Sequence, residues 1–87
     1  MNYQILYRAS VKRDMRRLDA PTAQRVDAAI LALADDPRPA GCKKLAGKND
    51  LWRLRVGAHR IVYQIQDDRL IVLVVRVAHR QDVYRGL

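Results

Sequence analysis

Three arginines, Arg53, Arg55 and Arg60, stand on one short stretch of chain at a spacing suited to holding a phosphate. Arg53 and Arg55 lie one residue apart in Leu51-Trp52-Arg53-Leu54-Arg55-Val56. Arg60 follows a Gly57-Ala58 break, in His59-Arg60-Ile61-Val62-Tyr63-Gln64-Ile65-Gln66. Guanidinium groups stay protonated and present a planar fork of donors that matches phosphate oxygens two at a time. Such groups recognise polyanions and stabilise charge that develops on a reacting phosphoryl centre. Lys43, Lys44 and Lys48 precede them, and Arg76, His79, Arg80 and Tyr84 follow. Between positions 37 and 60, seven Lys or Arg stand against one acid, Asp50, so this segment holds six of the chain's +8 formal charges.

The elements that must position these residues are strands. Gly57 is the first of two central residues, which suits a type II′ hairpin turn. That register pairs Val56 with His59, Arg55 with Arg60, Leu54 with Ile61, Arg53 with Val62 and Trp52 with Tyr63. Side chains alternate along a strand. Trp52, Leu54, Ile61 and Tyr63 therefore share a core face, and Arg53, Arg55 and Arg60 share the other. Like charges directly opposite destabilise a sheet by about 0.2–1 kcal/mol, and these two strands carry no Asp or Glu to offset it. A solvated charged face is the plain reading; the crowding of cations on one hairpin face favours an anion site.

A second turn at Asp67-Asp68 leads into a nearly continuous apolar run over 70–77, interrupted by Arg76. A three-residue turn would put Arg76 on Arg60's side of the sheet, and a two-residue turn would separate them. Three adjacent runs joined by short turns predict an antiparallel meander. Upstream, 3–7 predicts a short strand. Ser10 is a candidate cap for a first helix that buries Val11, Met15 and Leu18, with Lys12, Arg13, Arg16 and Arg17 mostly outward. Ala20-Pro21 breaks and restarts the helix, and a second one runs to about Ala34, burying Val26, Ala29, Ile30 and Leu33. Asp36-Pro37-Arg38-Pro39 ends it in an extended loop. The expected architecture is α+β. An N-terminal strand and a two-helix hairpin precede a three-stranded antiparallel meander that completes a four-stranded sheet, all in one domain over 1–87.

Composition narrows the function. An apolar fraction of 49% is ordinary for a folded domain. The excess positive charge favours phosphate backbones, anionic membranes or an acidic protein partner. The longest apolar run is far below the roughly 20 residues that cross a bilayer, and Asn2, Gln4, Arg8 and Lys12 interrupt any signal-peptide start. Cys42 is the only cysteine, which points to a reducing compartment, the cytoplasm. Zinc-type Cys/His spacing, a glycine-rich phosphate loop and a nucleophile elbow are all missing from the sequence, so neither a metal nor a cofactor is expected. The basic cluster lies on strands and loop, unlike that of a helix-turn-helix reader.

The runs Pro37-Arg38-Pro39, Cys42-Lys43-Lys44-Leu45, Gly47, Leu51 to Gly57 and His59 to Ile65, closing with Val77-Ala78-His79-Arg80-Gln81-Asp82-Val83-Tyr84, resemble the RelE family of toxin–antitoxin toxins. The likeness covers essentially the whole chain and is most specific from Lys43 to Tyr84. It implies a ribosome-dependent mRNA endonuclease that cuts translated messages in the A site. It also implies a cognate antitoxin partner, a toxin–antitoxin hetero-oligomer, and no membrane. The family's catalytic surface maps onto Arg53, Arg55, Arg60, Arg80 and Tyr84, with RNA contacts expected from Lys43, Lys44, Lys48, Arg76 and His79.

The implied chemistry is attack of the RNA 2′-OH on the adjacent phosphate, which needs alignment, proton transfer and stabilisation of a phosphorane-like charge. Tyr84 would stack on a splayed base or orient the reacting nucleotide. The RelE-type pattern carries Lys where this chain has Arg53 and Arg55. Arginine does not give up its proton, which leaves His79, or more weakly His59, as the proton carrier. Two other readings compete. One is a ParE-type toxin that binds DNA gyrase without cutting; the other is a basic module that binds naked RNA.

Overall fold

The computed structural model describes residues 2–47 and 50–79. Its elements run β1 (Gln4–Tyr7), α1 (Ala9–Arg16), α2 (Ala20–Ala32), β2 (Lys43–Lys44), β3 (Leu51–Val56), β4 (His59–Gln66) and β5 (Ile71–His79). The strands form one sheet in the order β1-β5-β4-β3-β2. The expected α+β plan holds, with one strand more than expected, because Lys43 and Lys44 pair with Arg53 and Trp52 on the outer edge of β3. β1 lies parallel to β5, and the β3, β4 and β5 pairs are antiparallel.

Both helices lie on one side of the sheet. Val26, Ile30 and Leu33 from α2 and Val11 from α1 pack against Ile61, Tyr63, Ile65, Val72, Val74 and Val77. Burial at i, i+4 and i+7 along α2 is the stripe expected of a helix that covers a sheet. α2 begins at Asp19, whose Oδ1 accepts from the Thr22 N–H at 3.3 Å, with Pro21 in the first turn. Ser10 does not cap α1. The cap position is Arg8, with no side-chain cap, and Ser10 sits inside the first turn with its hydroxyl 3.5 Å from the Val75 carbonyl.

The β3–β4 hairpin has the predicted register throughout, from Val56–His59 to Trp52–Tyr63. Gly57 has φ of 60°, the left-handed value that the first central residue of a type II′ turn requires. The second hairpin follows neither expected turn. Its connection spans the four residues 67–70, with Leu70 at φ of 54°. Four residues have the parity of a two-residue turn and would have put Arg76 and Arg60 on opposite sides. A bulge reverses this. Tyr63 faces Val74, but Val62 faces Arg76, so β5 carries one extra residue at Val75. Beyond it, Arg76 and Ala78 lie on the side of Arg60 and Val62.

A clasp joins three distant segments at the far end of the molecule. Arg38 donates to both Asp67 carboxylate oxygens, at 3.2 and 2.8 Å, and the Tyr3 hydroxyl donates to Asp67 Oδ1 at 2.6 Å. The Arg38 guanidinium also lies 5.0 Å from the centre of the Trp52 ring. Beside it, the buried Tyr63 hydroxyl donates to the Pro37 carbonyl at 2.8 Å. These contacts hold the α2–β2 loop against the sheet and so set the height at which Lys43 meets Arg53. Bonding to Arg38 pulls the Asp67 carboxyl down to about 2, and the Tyr3 phenol is raised, first by its bond to Asp67.

Candidate active face

The side of the sheet turned away from the helices has two parts. Toward the Gly57 turn it carries Arg53, Arg55, Arg60 and Arg76, with Lys43 beside Arg53 on the edge strand. Toward the other end, Val62 and Val75 are buried under Leu45, Leu51, Leu73 and Ala78. Leu45 reaches this side because its N–H bonds the Leu51 carbonyl at 2.8 Å, folding the chain over the sheet just past β2. The cations thus stand beside a small apolar floor, where charge interactions are less screened than in open water.

Strand parity accounts for the grouping. Arg53 and Arg55 alternate with the core residues Trp52, Leu54 and Val56, and Arg60 alternates with Ile61. Arg55 and Arg60 face each other directly, and Arg55 Nε donates to the Gly57 carbonyl at 3.3 Å, which orients its guanidinium toward the turn. Arg60 is half-buried, and its Nη1 is enclosed without a hydrogen-bond partner. Among the described residues, Lys43, Arg53, Arg55 and Arg60 form no ion pair; the two present, Arg38–Asp67 and Lys44–Asp50, lie elsewhere. Mutually repelling guanidiniums beside an apolar floor can take a phosphate, and can stabilise one that gains charge during reaction.

Not every residue singled out from the sequence joins this group. Lys44 pairs with Trp52 and so faces the helix side, where its Nζ lies 3.9 Å from Asp50 Oδ1. His79 faces His59 across β4 and β5, also on the helix side, with ring centroids 5.6 Å apart and the planes at 82°. The two imidazoles border a cleft of about 340 Å³ with Asp14, Arg17 and Leu18. The strand thus places His79 on the side of the sheet away from the arginines. Lys48, Arg80 and Tyr84 lie outside the described residues.

Two contributors escaped the sequence reading. Arg38 counted only as one more basic loop residue, yet it anchors the loop that carries Lys43. Asp14 drew no notice; it is half-buried on α1, and its Oδ2 accepts the Val77 N–H at 2.9 Å. The available signal was its place among inward positions otherwise held by Val11, Met15 and Leu18.

Residues 5–84 match the family model described as the ParE toxin of the type II toxin–antitoxin system parDE. The chain belongs to this ParE toxin family. Toxin RelG of Mycobacterium tuberculosis is 32% identical over 89 residues, covering 98% of this chain and 99% of RelG. The mRNA interferase toxin RelE of Escherichia coli is 25% identical over 83 residues, covering 93% of this chain and 86% of RelE. A toxin–antitoxin complex from Mycobacterium tuberculosis, RelBE2, contains a chain that superposes with a TM-score of 0.80 at 24% identity, covering 92% of this chain and all of that one. The strand–helix–helix–meander order found here is thus the fold of this toxin family, and in this ParE-family chain Lys43, Arg53, Arg55, Arg60 and Arg76 lie on the open side of the sheet.

Proposed function

We propose that this toxin is a ribosome-dependent mRNA endonuclease, cutting translated messages in the A site through attack of a 2′-OH on the adjacent phosphate. One observation carries the reading. Arg53, Arg55 and Arg60 share the sheet face opposite the helices, with no carboxylate to neutralise them among the described residues. In the proposed reaction Arg55 and Arg60 grip the scissile phosphate and stabilise its extra charge, Arg53 and Lys43 hold the flanking backbone, and Arg76 extends the track. Arg80 and Tyr84 follow directly on β5, and the family likeness assigns them the remaining catalytic contacts. Transfer of the 2′-OH proton is left to a group other than Arg53 and Arg55, since arginine keeps its proton.

The partner in this reading is a cognate antitoxin, acting in the cytoplasm and forming a hetero-oligomer with the toxin. A largely apolar groove of about 670 Å³ fits that role, with Tyr7, Val11 and Met15 along it and Arg8, Lys12 and Arg16 at its rim. Arg8 at the cap position and Lys12 and Arg16 on α1 recur every four residues, against one acid, Asp27, in the lining, and this balance suits an acidic amphipathic helix.

The family model's own name favours a second reading, a toxin that binds DNA gyrase and does not cut RNA. Inducing the chain in cells and mapping 5′ ends of messages against reading frame separates the two. Cleavage in phase with codons is the expected result, and it should vanish with Arg60→Ala. Intact messages together with blocked supercoiling in a gyrase assay would establish the second reading instead.

A further inference from the structure

We infer that Asp14 is a positioning residue for the arginine face, acting through the backbone of β5, an inference that rests on the nuclease reading above. β1 covers the outer edge of β5 only from Ile71 to Val74. The Arg8 N–H then bonds the Val74 carbonyl at 2.8 Å, and β1 gives way to α1. Past that point the outer edge of β5 has no strand neighbour among the described residues. Two side chains of α1 stand in for one. The Ser10 hydroxyl approaches the Val75 carbonyl at 3.5 Å, and Asp14 Oδ2 accepts the Val77 N–H at 2.9 Å. Ser10 and Asp14 are one helical turn apart, so both reach the same edge.

The two contacts bracket Arg76, one at the carbonyl of the bulged residue Val75 and one at the N–H just past Arg76. A bulge disrupts the ladder and leaves its extra residue unpaired, so contacts from α1 bear directly on the direction of this stretch. Val77 is 1% exposed, and a buried N–H that lost its acceptor would be an orphan donor. A carboxylate acceptor makes the stronger, charge-assisted kind of hydrogen bond. Asp14 therefore pins the residue right after Arg76 and keeps Arg76 beside Arg60.

The test compares Asp14→Ala, Asp14→Asn and a core control, Val26→Ala, which loses buried apolar contact under α2 away from this edge. Cleavage of ribosome-bound message is measured with kcat and KM separated, beside amide exchange at Val77. Asp14→Ala should raise KM about tenfold with kcat changed less, as loss of a contact to the bound strand does. Exchange at Val77 should quicken by about tenfold or more, from loss of a charge-assisted bond. Asp14→Asn keeps an acceptor oxygen and should recover most of both. Val26→Ala should melt earlier yet keep KM within about twofold, since distant sites act independently. Wild-type KM in Asp14→Ala, or an equal rise in Val26→Ala, overturns the inference. If the wild type itself leaves message intact, the nuclease reading fails and exchange decides alone. Fast exchange in Asp14→Ala that Asp14→Asn repairs sustains the brace, and unchanged exchange removes it.

Discussion

Val62 faces Arg76 across β4 and β5, although Tyr63, the next residue along, faces Val74. That one-residue slip at Val75 decides which side of the sheet Arg76 occupies. With a continuous ladder Arg76 would oppose Ile61 and point into the helix-covered core. With the bulge it joins Arg60, and five cations (Lys43, Arg53, Arg55, Arg60 and Arg76) share one face.

That face should respond to simple anions. Inorganic phosphate at ten times its dissociation constant should stabilise the wild type by about 1.4 kcal/mol, and Arg60→Ala should show far less. Without phosphate and at low salt, Arg60→Ala should be no less stable than wild type, because the repulsion between Arg55 and Arg60 is worth about 0.2–1 kcal/mol. Thermal melts across a phosphate series check both; equal gains in the two proteins would argue against an anion site at Arg60.

The Arg38–Asp67 clasp should set an acid limit. The folded Asp67 carboxyl, held near 2 by its bonds from Arg38 and Tyr3, lies below its ordinary value of 3.8. A depressed carboxyl contributes stability above its unfolded value and loses it as pH falls through the folded one. Melting temperature should therefore drop between about pH 4 and pH 2, and Asp67→Asn should flatten that drop while being less stable near neutrality. Melts in buffers across this range provide the measurement.

At the alkaline end Tyr63 acts in the opposite sense. Burial, the main cause, raises its phenol well above the ordinary value, so the folded state keeps a proton that the unfolded chain releases. Stability should fall as pH climbs past about 10, and Tyr63→Phe should weaken that dependence. At neutral pH, Tyr63→Phe should cost about 0.5–1.5 kcal/mol through the lost bond to the Pro37 carbonyl, seen as a lower urea midpoint with an unchanged slope.

Gly57→Ala isolates the conformational demand of the first hairpin. A Cβ at Gly57 would meet nothing within 4 Å, yet φ there is +60°. The loss should be about 1 kcal/mol, the order of the left-handed penalty for an L-residue, with the β3–β4 register retained. Urea titration gives the loss, and cross-strand NOEs between Arg55 and Arg60 report the register.

Legibility followed the range of the interactions. The β3–β4 hairpin could be paired residue by residue from the string Arg55-Val56-Gly57-Ala58-His59-Arg60, because its turn and alternation are local. The α2 stripe of Val26, Ile30 and Leu33 was equally plain. Ser10 misled, since a serine near a helix start reads as a cap; here Arg8 ends the extended chain and Ser10 turns to β5. The sides taken by His79 and Lys44 were not legible from residue type, since they depend on pairings with His59 and Trp52.

The chain's own residue order determined the two helices, the hairpin register and the placing of Arg53, Arg55 and Arg60 on one face, because alternation and a two-residue turn need no distant partner. The tertiary structure alone decided that Arg76 joins them, that Lys43 draws level with Arg53, and that Asp14 braces Val77. Those outcomes turn on a bulge between strands, a clasp from Arg38 to Asp67 and a bond from helix to sheet edge. Each joins residues well separated along the chain, and only packing of the helices on the sheet brings their partners within reach.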